Sequence, residues 1–251
     1  MRDPRDQFGP VAESYLSSAV HSNSSALSRL IEVAKPLGGT IIDVATGAGH
    51  TAYAFAPYVD RVIATDITPD MLRVTKEVAR DRNLANLDVL FAEAEELPFR
   101  NGSVAGLTCR LGAHHFHNVH AFVREARRSL SPGGWFLLVD SIGSEDAEAD
   151  EQIDQLERLR DPSHVRSYRR SEWLRYVADA GFELLSEEVH SKEIDADDWM
   201  DRMNVSGTDR TLLREMIEGA KGEFGRYLSP EIKEGRLQFH LDEVLLFARR
   251  V

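Results

Sequence analysis

Hydrophobic residues recur along much of the chain at two alternating spacings, one typical of strands and one typical of helices. The pattern predicts that strands and helices alternate. Runs rich in apolar and β-branched residues over 40–44 and 61–66 are typical of strands. Beyond the second run, Met71 and Val74 recur at helical spacing after Thr68, a good helix-start residue that is followed by proline. Strands that alternate with helices indicate a parallel sheet. The pattern therefore predicts an α/β fold.

The pattern changes along the chain and divides it into three regions. Residues 1–35 are predicted to form a helical N-terminal cap, and residues 36–140 contain the alternating strands and helices. Residues 141–251 are predicted to complete the same domain, with helical pieces over 195–234 that we expect to form a lid. The last two long strands are predicted at 182–194 and 237–249.

The most informative stretch is a strand–glycine loop–helix unit over residues 40–50. The strand ends in Asp43, and Gly47 and Gly49 follow in a turn of small residues. Such a loop lets backbone N–H groups and a helix N-terminus approach a carboxylate or phosphate. The glycine spacing also fits the pyrophosphate fingerprint of nicotinamide and flavin enzymes. Because Asp43 would repel a pyrophosphate, its carboxylate favours a ligand with a cationic group nearby.

A second acidic residue narrows the set of candidate ligands further. Asp66 ends the next apolar run, where a carboxylate is well placed to accept hydrogen bonds from both hydroxyls of a ribose. A ribose held by Asp66 and an ammonium near Asp43 together describe S-adenosyl-L-methionine.

Four stretches, in order, resemble motifs of the class I S-adenosylmethionine-dependent methyltransferases. Residues 43–49 resemble the first motif, with Ala45 where many members have glycine, and are most similar to the ubiquinone/menaquinone-biosynthesis C-methyltransferase type. Residues 63–71, 92–99 and 130–139 resemble the ribose motif, the adenine loop and the fifth-strand turn. The resemblance implies a doubly wound, mainly parallel seven-stranded Rossmann-like sheet with an antiparallel last strand and helical lid insertions.

The resemblance also implies how the cofactor is bound. Asp66 would accept from the ribose, and Asp43 would lie near the ammonium. Glu93 would accept from the adenine amine while the N–H of Ala94 donates to a ring nitrogen. Tyr15, in the N-terminal segment, would close over the methionine end. The other cofactor-binding residues we expect are Ala45, Thr46, Gly47, Gly49, Ile67, Met71 and Arg110.

Histidines supply the candidate catalytic groups. Residues 109–117 follow the fourth strand and contain three histidines within four positions, but no Asp, Glu or Cys partner lies at metal-ligand spacing, so we expect no metal. In the resemblance His115 is the more pocket-facing of a pair whose other member, His114, is explained by packing at a helix start. His164 lies in a second polar loop. We therefore expect His115 and His164 to take a proton from the acceptor.

The composition of the chain limits the classes of partner that it is expected to bind. The formal net charge is −12, which disfavours a nucleic-acid substrate because phosphate neutralisation needs a basic face. No apolar stretch is long enough to span a bilayer, and no signal peptide is visible. The single cysteine, Cys109, allows no internal disulfide and favours the cytoplasm. We expect a neutral or cationic small-molecule acceptor, and a homodimer is left open.

The sequence thus predicts methyl transfer to oxygen, carbon or nitrogen of a small molecule, with a phenol or quinol acceptor slightly favoured. A nicotinamide-dependent oxidoreductase is one alternative, although none of the six tyrosines is followed by lysine four residues later, as short-chain dehydrogenases require. A non-methylating S-adenosylmethionine-binding protein, or a pericyclic catalyst on the same fold, is the other, because fold does not fix function.

Overall fold

The strands form one mixed sheet in the computed structural model, which describes residues 3–9, 12, 24–36 and 38–251. Tyr15 lies outside these residues. Within them the strands are β1 (Thr40–Val44), β2 (Arg61–Asp66), β3 (Leu87–Phe91), β4 (Val104–Arg110), β5 (Leu130–Ser141), β6 (Phe182–Asp195), β7 (Glu231–Lys233) and β8 (Arg236–Arg250).

The strand order confirms the predicted fold class. Seven strands lie in the order β3-β2-β1-β4-β5-β8-β6, and β1 to β5 pair in parallel. The last strand, β8, runs antiparallel to both of its neighbours, β5 and β6. The three-residue β7, inside the segment for which only helical pieces were predicted, pairs with β8 as an eighth strand. The sheet is therefore doubly wound and mainly parallel, as expected.

Ten α-helices accompany the sheet in the described residues. Helix α6 begins at Ala147, because Asp146 caps it by accepting from the N–H groups of Glu148 and Ala149. The helices are α1 (Pro4–Phe8), α2 (Ser24–Ala34), α3 (His50–Phe55), α4 (Pro69–Asp81), α5 (Val119–Ser129), α6 (Ala147–Arg160), α7 (Arg170–Asp179), α8 (Ala196–Asp201), α9 (Gly207–Glu218) and α10 (Gly222–Leu228).

Successive residues of β5 pack into different cores on the two faces of the sheet. Phe136 and Leu138 belong to the core formed with α5 and α7, whereas Leu137 and Val139 belong to the core formed with α2 and α3. Because side chains alternate along a strand, a strand covered by helices on both faces must be apolar throughout. This is why the strands appear in the sequence as continuous apolar runs.

The helices of the predicted lid, α8, α9 and α10, share a core with α6. Helices α6, α8, α9 and α10 pack with the first half of β8 around a set of buried apolar side chains. Trp199 of α8 meets Phe239 of β8 edge to face, with ring centroids 5.1 Å apart. The insertion is thereby anchored to the sheet beside the carboxyl end of β5. Together with the loops that follow the parallel strands, it encloses the space in which the candidate site lies.

Candidate active site

A cavity of about 450 Å³, the first cavity, lies at the carboxyl ends of β1, β2 and β4. Open α/β sheets bind their ligands at this edge. Helix α1 contributes Pro4, Arg5 and Phe8 to its wall. The predicted cofactor residues that line it are Asp43, Ala45, Thr46, Gly47, Asp66, Ile67, Met71, Glu93, Ala94 and Arg110.

The two glycines of the loop after β1 have different surroundings. Both have left-handed backbones, with φ of 53° at Gly47 and 85° at Gly49. A Cβ on Gly47 would meet no atom within 4 Å, whereas one on Gly49 would lie 2.5 Å from the ring of Tyr53. Gly49 is therefore required by packing beneath the loop and does not line the first cavity. Gly47 leaves open space beside it for a ligand.

Asp43 brings a buried carboxylate to the wall of the first cavity. It is 1% exposed, and its two oxygens accept from the hydroxyls of Thr46 at 2.5 Å and Thr108 at 2.6 Å. Burial raises the pKa of Asp43 to about 6, although both threonine hydroxyls and the charge of Arg110 act to lower it. A cation at this position would stabilise the ionised carboxylate.

Asp66 joins the glycine loop to the end of β2. One carboxylate oxygen accepts from the N–H of Gly47 at 2.9 Å and the other from the N–H of Thr68 at 2.8 Å. Burial raises the pKa of Asp66, against the effect of these hydrogen bonds. The Thr68 hydroxyl and the N–H of Ile67 also lower this pKa through hydrogen bonds, and the Asp66 carboxylate lines the first cavity, where it can accept from a ligand.

The loop after β3 contains the residues predicted to contact adenine. Glu93 and Ala94 both line the first cavity, as does Glu95. The carboxylate of Glu95 accepts from the N–H of Asn118 at 3.2 Å, at the start of α5. Two carboxylates and the Ala94 backbone therefore border this end of the cavity.

A second cavity, of about 500 Å³, adjoins the first beneath the lid helices. Phe8, Leu111 and His115 line both cavities, and we call these three residues the junction. Beyond the junction, the second cavity is lined by side chains from α6, α8, β6 and β8 and from the loop after α6. A ligand in the first cavity can therefore meet a different ligand in the second.

His115 is a half-buried side chain at the junction. Its ring meets the ring of Phe8 edge to face at 5.1 Å, and its Nδ1 lies 3.1 Å from the backbone carbonyl of Ser163. Because a carbonyl only accepts, Nδ1 is the protonated nitrogen of the neutral ring. Burial, together with the charge of His114, lowers the pKa of His115 to about 3.

His164 lines the second cavity but not the first. It is 2% exposed, its Nε2 lies 3.1 Å from Asp154 Oδ1, and its ring stacks on that of His114 at 5.5 Å. The structure thus brings His115 and His164 to the same cavity from the fourth strand and from the loop after α6. Their catalytic roles stay predictions.

The side chain that sequence reasoning missed is His114. Its Nδ1 lies 2.6 Å from Asp140 Oδ1, and its backbone N–H donates to Asp140 Oδ2 at 3.0 Å. Burial opposes a charge on His114, but the negative charge of Asp140 and this hydrogen bond outweigh it and raise the pKa of His114. The strand order could have indicated this pair, because Asp140 lies near the end of β5, and β5 is the strand beside β4.

The described ranges contain no group of three or more His, Cys, Asp or Glu side chains placed to hold a metal ion. Equally, no helix within them is long and apolar enough to cross a bilayer.

Comparison with other sequences gives a consistent set of relatives. Residues 42–138 match the family described as methyltransferase domain. The uncharacterized methyltransferase YcgJ of Bacillus subtilis is 41% identical over 167 residues, 66% of this chain and 66% of its own length. The ubiquinone/menaquinone biosynthesis C-methyltransferase UbiE of Brucella anthropi is 33% identical over 161 residues, 60% of this chain and 61% of its own. In both alignments the chain spans slightly less than two thirds of the relative.

Solved structures extend the similarity to nearly the whole fold. A candidate methyltransferase of Bacillus halodurans C-125 superposes with a TM-score of 0.86 and 35% identity, covering 90% of this chain and 99% of that chain. The YcgJ protein of Bacillus subtilis superposes with a TM-score of 0.86 and 32% identity, covering 90% of this chain and 98% of that chain.

Proposed function

This chain belongs to the S-adenosylmethionine-dependent methyltransferases, and we propose that it methylates a small molecule bound in the second cavity. The observation that carries the proposal is the junction, where Phe8, Leu111 and His115 line both cavities. An enzyme that joins two ligands needs adjoining sites with a shared wall. Family membership also sets aside the nicotinamide-dependent alternative.

The residues of the first cavity fit S-adenosylmethionine chemically. When bound, this cofactor supplies a methyl group that is activated by the sulfonium. Asp43 offers a buried carboxylate to the ammonium, and the Asp66 carboxylate lines the same cavity, where it can accept from the ribose hydroxyls. The open space beside Gly47 allows backbone contact with the ligand. Glu93 and Ala94 border the end that we assign to adenine.

The second cavity suits a neutral, partly aromatic acceptor. Trp199 and Met203 offer apolar surface, and the charged side chains of its wall largely pair with one another. Thus Lys192 pairs with Glu243, and the guanidinium of Arg160 pairs with a glutamate and lies 4.6 Å from the ring centroid of Trp199. Because these charges are already compensated, a phenol or quinol acceptor is favoured over an ionic one, whether oxygen, carbon or nitrogen is methylated.

Positioning supplies most of the rate enhancement in this account. The methyl group arrives activated, so the protein must hold the acceptor in line with the methyl–sulfur bond, which contributes roughly 7–11 kcal/mol in well-oriented pairs. His115 at the junction and His164 within the second cavity are placed to contact and orient the acceptor. Their roles belong to this proposal.

A label-transfer assay with a cavity-filling variant tests the proposed function. Methyl-labelled S-adenosylmethionine is incubated with panels of phenols, quinols and amines, and labelled products are separated. Met203→Trp would fill the second cavity, so we expect loss of transfer with unchanged affinity for S-adenosylhomocysteine. Met216→Trp, in the lid core but not in the second cavity, is the matched control. Binding of S-adenosylhomocysteine without transfer to any acceptor would favour the non-methylating alternative.

A further inference from the structure

We propose that His114, oriented by Asp140, is the catalytic residue that takes the acceptor's proton, and that the acceptor carries an acidic hydroxyl of the phenol type. This inference rests on the proposed function and specifies which residue deprotonates the acceptor and which group of the acceptor is methylated. It assigns the proton transfer to the histidine that pairs with a buried carboxylate.

The geometry around Asp140 fixes the His114 ring. Asp140 is fully buried and accepts from His114 Nδ1, from the His114 backbone N–H and from the N–H of Ser141 at 2.8 Å. Because a carboxylate only accepts, Nδ1 carries the proton of the neutral ring, and the lone pair lies on Nε2. The ring borders the second cavity, and no described residue makes a hydrogen bond with Nε2.

The groups that face His114 come from four elements. Besides Asp140 on β5, they are its neighbour His115, Glu157 on α6, and His164 and Asp161 in the loop that follows α6. The carboxylates favour a charged His114 ring, and this is why its pKa is raised. Burial and the charges of His114 and His164 give His115 a lowered pKa of about 3, although the charge of Asp161 acts to raise it.

The surroundings of these two adjacent histidines therefore raise the pKa of one and lower the pKa of the other. Environments that drive paired groups apart in pKa commonly mark the division of acid and base roles. Near neutral pH the His115 ring is uncharged and too weak a base to hold a proton. His114 is the stronger base, and Asp140 stabilises the imidazolium that forms when a proton arrives.

The proposed step balances as follows. The acceptor O–H bond breaks and its proton moves to His114 Nε2, giving an imidazolium paired with Asp140. The acceptor oxygen forms a bond to the methyl carbon as the methyl–sulfur bond breaks, and that electron pair stays on sulfur. The products are the methyl ether and neutral S-adenosylhomocysteine. His114 then releases its proton to solvent.

Nuclear magnetic resonance of the histidine rings tests the pair without any acceptor. In protein labelled with ¹⁵N in its histidines, we expect His114 to titrate above the ordinary 6.5 and to carry its proton on Nδ1 when neutral. Asp140→Asn should move this titration to lower pH, because a negative charge is removed. A His114 that titrates at or below 6.5 in the unmodified protein would overturn the proposal.

Turnover tests the role in catalysis. The probes are catechol, 4-nitrophenol and benzylamine, each with methyl-labelled S-adenosylmethionine. We expect transfer to the phenols, a loss of about a hundredfold in kcat/KM for His114→Gln, and an acid limb of the pH profile that Asp140→Asn moves to lower pH. The control is His190→Gln, an exposed histidine on β6.

Each outcome bears on a different claim. Equal rates for His114→Gln and His190→Gln, or an acid limb unmoved by Asp140→Asn, would overturn the role of His114. Transfer to benzylamine alone, or to none of the probes, would overturn the hydroxyl assignment. Failure of the unmodified protein to bind S-adenosylhomocysteine would instead contradict the proposed function. Thermal unfolding and S-adenosylhomocysteine binding by each variant confirm that it is folded.

Discussion

Ala45 and Gly112 meet at the carboxyl ends of the neighbouring strands β1 and β4, where a Cβ on Gly112 would lie 2.7 Å from the Cβ of Ala45. Ala45 has a left-handed backbone with φ of 52°, a conformation that costs a residue other than glycine about 1–2 kcal/mol. This explains why glycine is frequent at the corresponding position of the family motif. The alanine at position 45 in turn requires the glycine at position 112.

A double-mutant cycle measures this dependence. Gly112→Ala should destabilise the protein by about 1–3 kcal/mol, since overpacking forces neighbouring atoms apart. In the Ala45→Gly background the same change should cost at least about 1 kcal/mol less, because the opposing methyl group is gone. Urea unfolding of the four proteins gives the coupling energy. Strictly additive effects would show that the two positions do not compete for the same space.

The glycine loop yields a prediction that separates folding from binding. Gly47→Ala should lower apo-protein stability by about 1 kcal/mol and weaken S-adenosylhomocysteine binding at least tenfold, because its Cβ occupies space meant for the ligand. Gly133→Ala is the matched control, since Gly133 also has a positive φ and open space but does not line the first cavity. Both stability and affinity are measured for each variant.

Gly49→Ala should behave differently, with a larger loss of stability. Its Cβ would lie 2.5 Å from the Tyr53 ring and 2.8 Å from Thr75, both packed beneath the loop. A Gly49→Ala protein as stable as Gly47→Ala would contradict this assignment.

Much of the fold and of the lining of the first cavity was predictable, because the local sequence pattern encodes both. Strands buried on two faces must be continuously apolar, and Asp43 and Asp66 end two such runs. Parallel strands bring their carboxyl ends to one edge, so residues after β1, β2 and β3 meet there. The motif alone also places Gly49 in the cofactor wall. In the structure Gly49 faces Tyr53 and does not line the first cavity, and its role in cofactor binding stays a prediction.

The acceptor side could not be predicted in the same way. Whether His114 or His115 contacts a carboxylate depends on the direction in which each ring points within the short turn after β4. The hydrophobic pattern of the sequence does not indicate that direction. The partner of His114 is 26 residues away, and His164 reaches the second cavity only because α6 and its loop fold over the sheet. The three-residue β7 is too short to leave a strand pattern.

Asp43 gives a prediction about pH. Its folded-state pKa of about 6 is above the ordinary 3.8, so the folded protein binds more protons than the unfolded chain between these values. The contribution of Asp43 to apo-protein stability therefore falls as pH rises through this window, by about 3 kcal/mol in all.

Asp43→Asn removes this titration. The variant should gain apo-protein stability relative to the unmodified protein as pH rises from 4 to 7, and should bind S-adenosylmethionine more weakly because the partner of the ammonium is neutral. Unfolding by urea at the two pH values is the measurement, with Asp88→Asn, an exposed change on β3, as control. An unchanged difference between the proteins at pH 4 and pH 7 would refute the assignment.

The most direct measurement of the central claim is a calorimetric titration of S-adenosylhomocysteine into the unmodified protein and into Asp66→Ala. We predict one binding site in the unmodified protein, no binding of NADH, and at least tenfold weaker S-adenosylhomocysteine binding by the variant. Each lost hydrogen bond to the carboxylate is worth about 1.5–3 kcal/mol, and about 1.4 kcal/mol already gives a factor of ten. The same dissociation constant for both proteins, or no binding by the unmodified protein, would contradict the account.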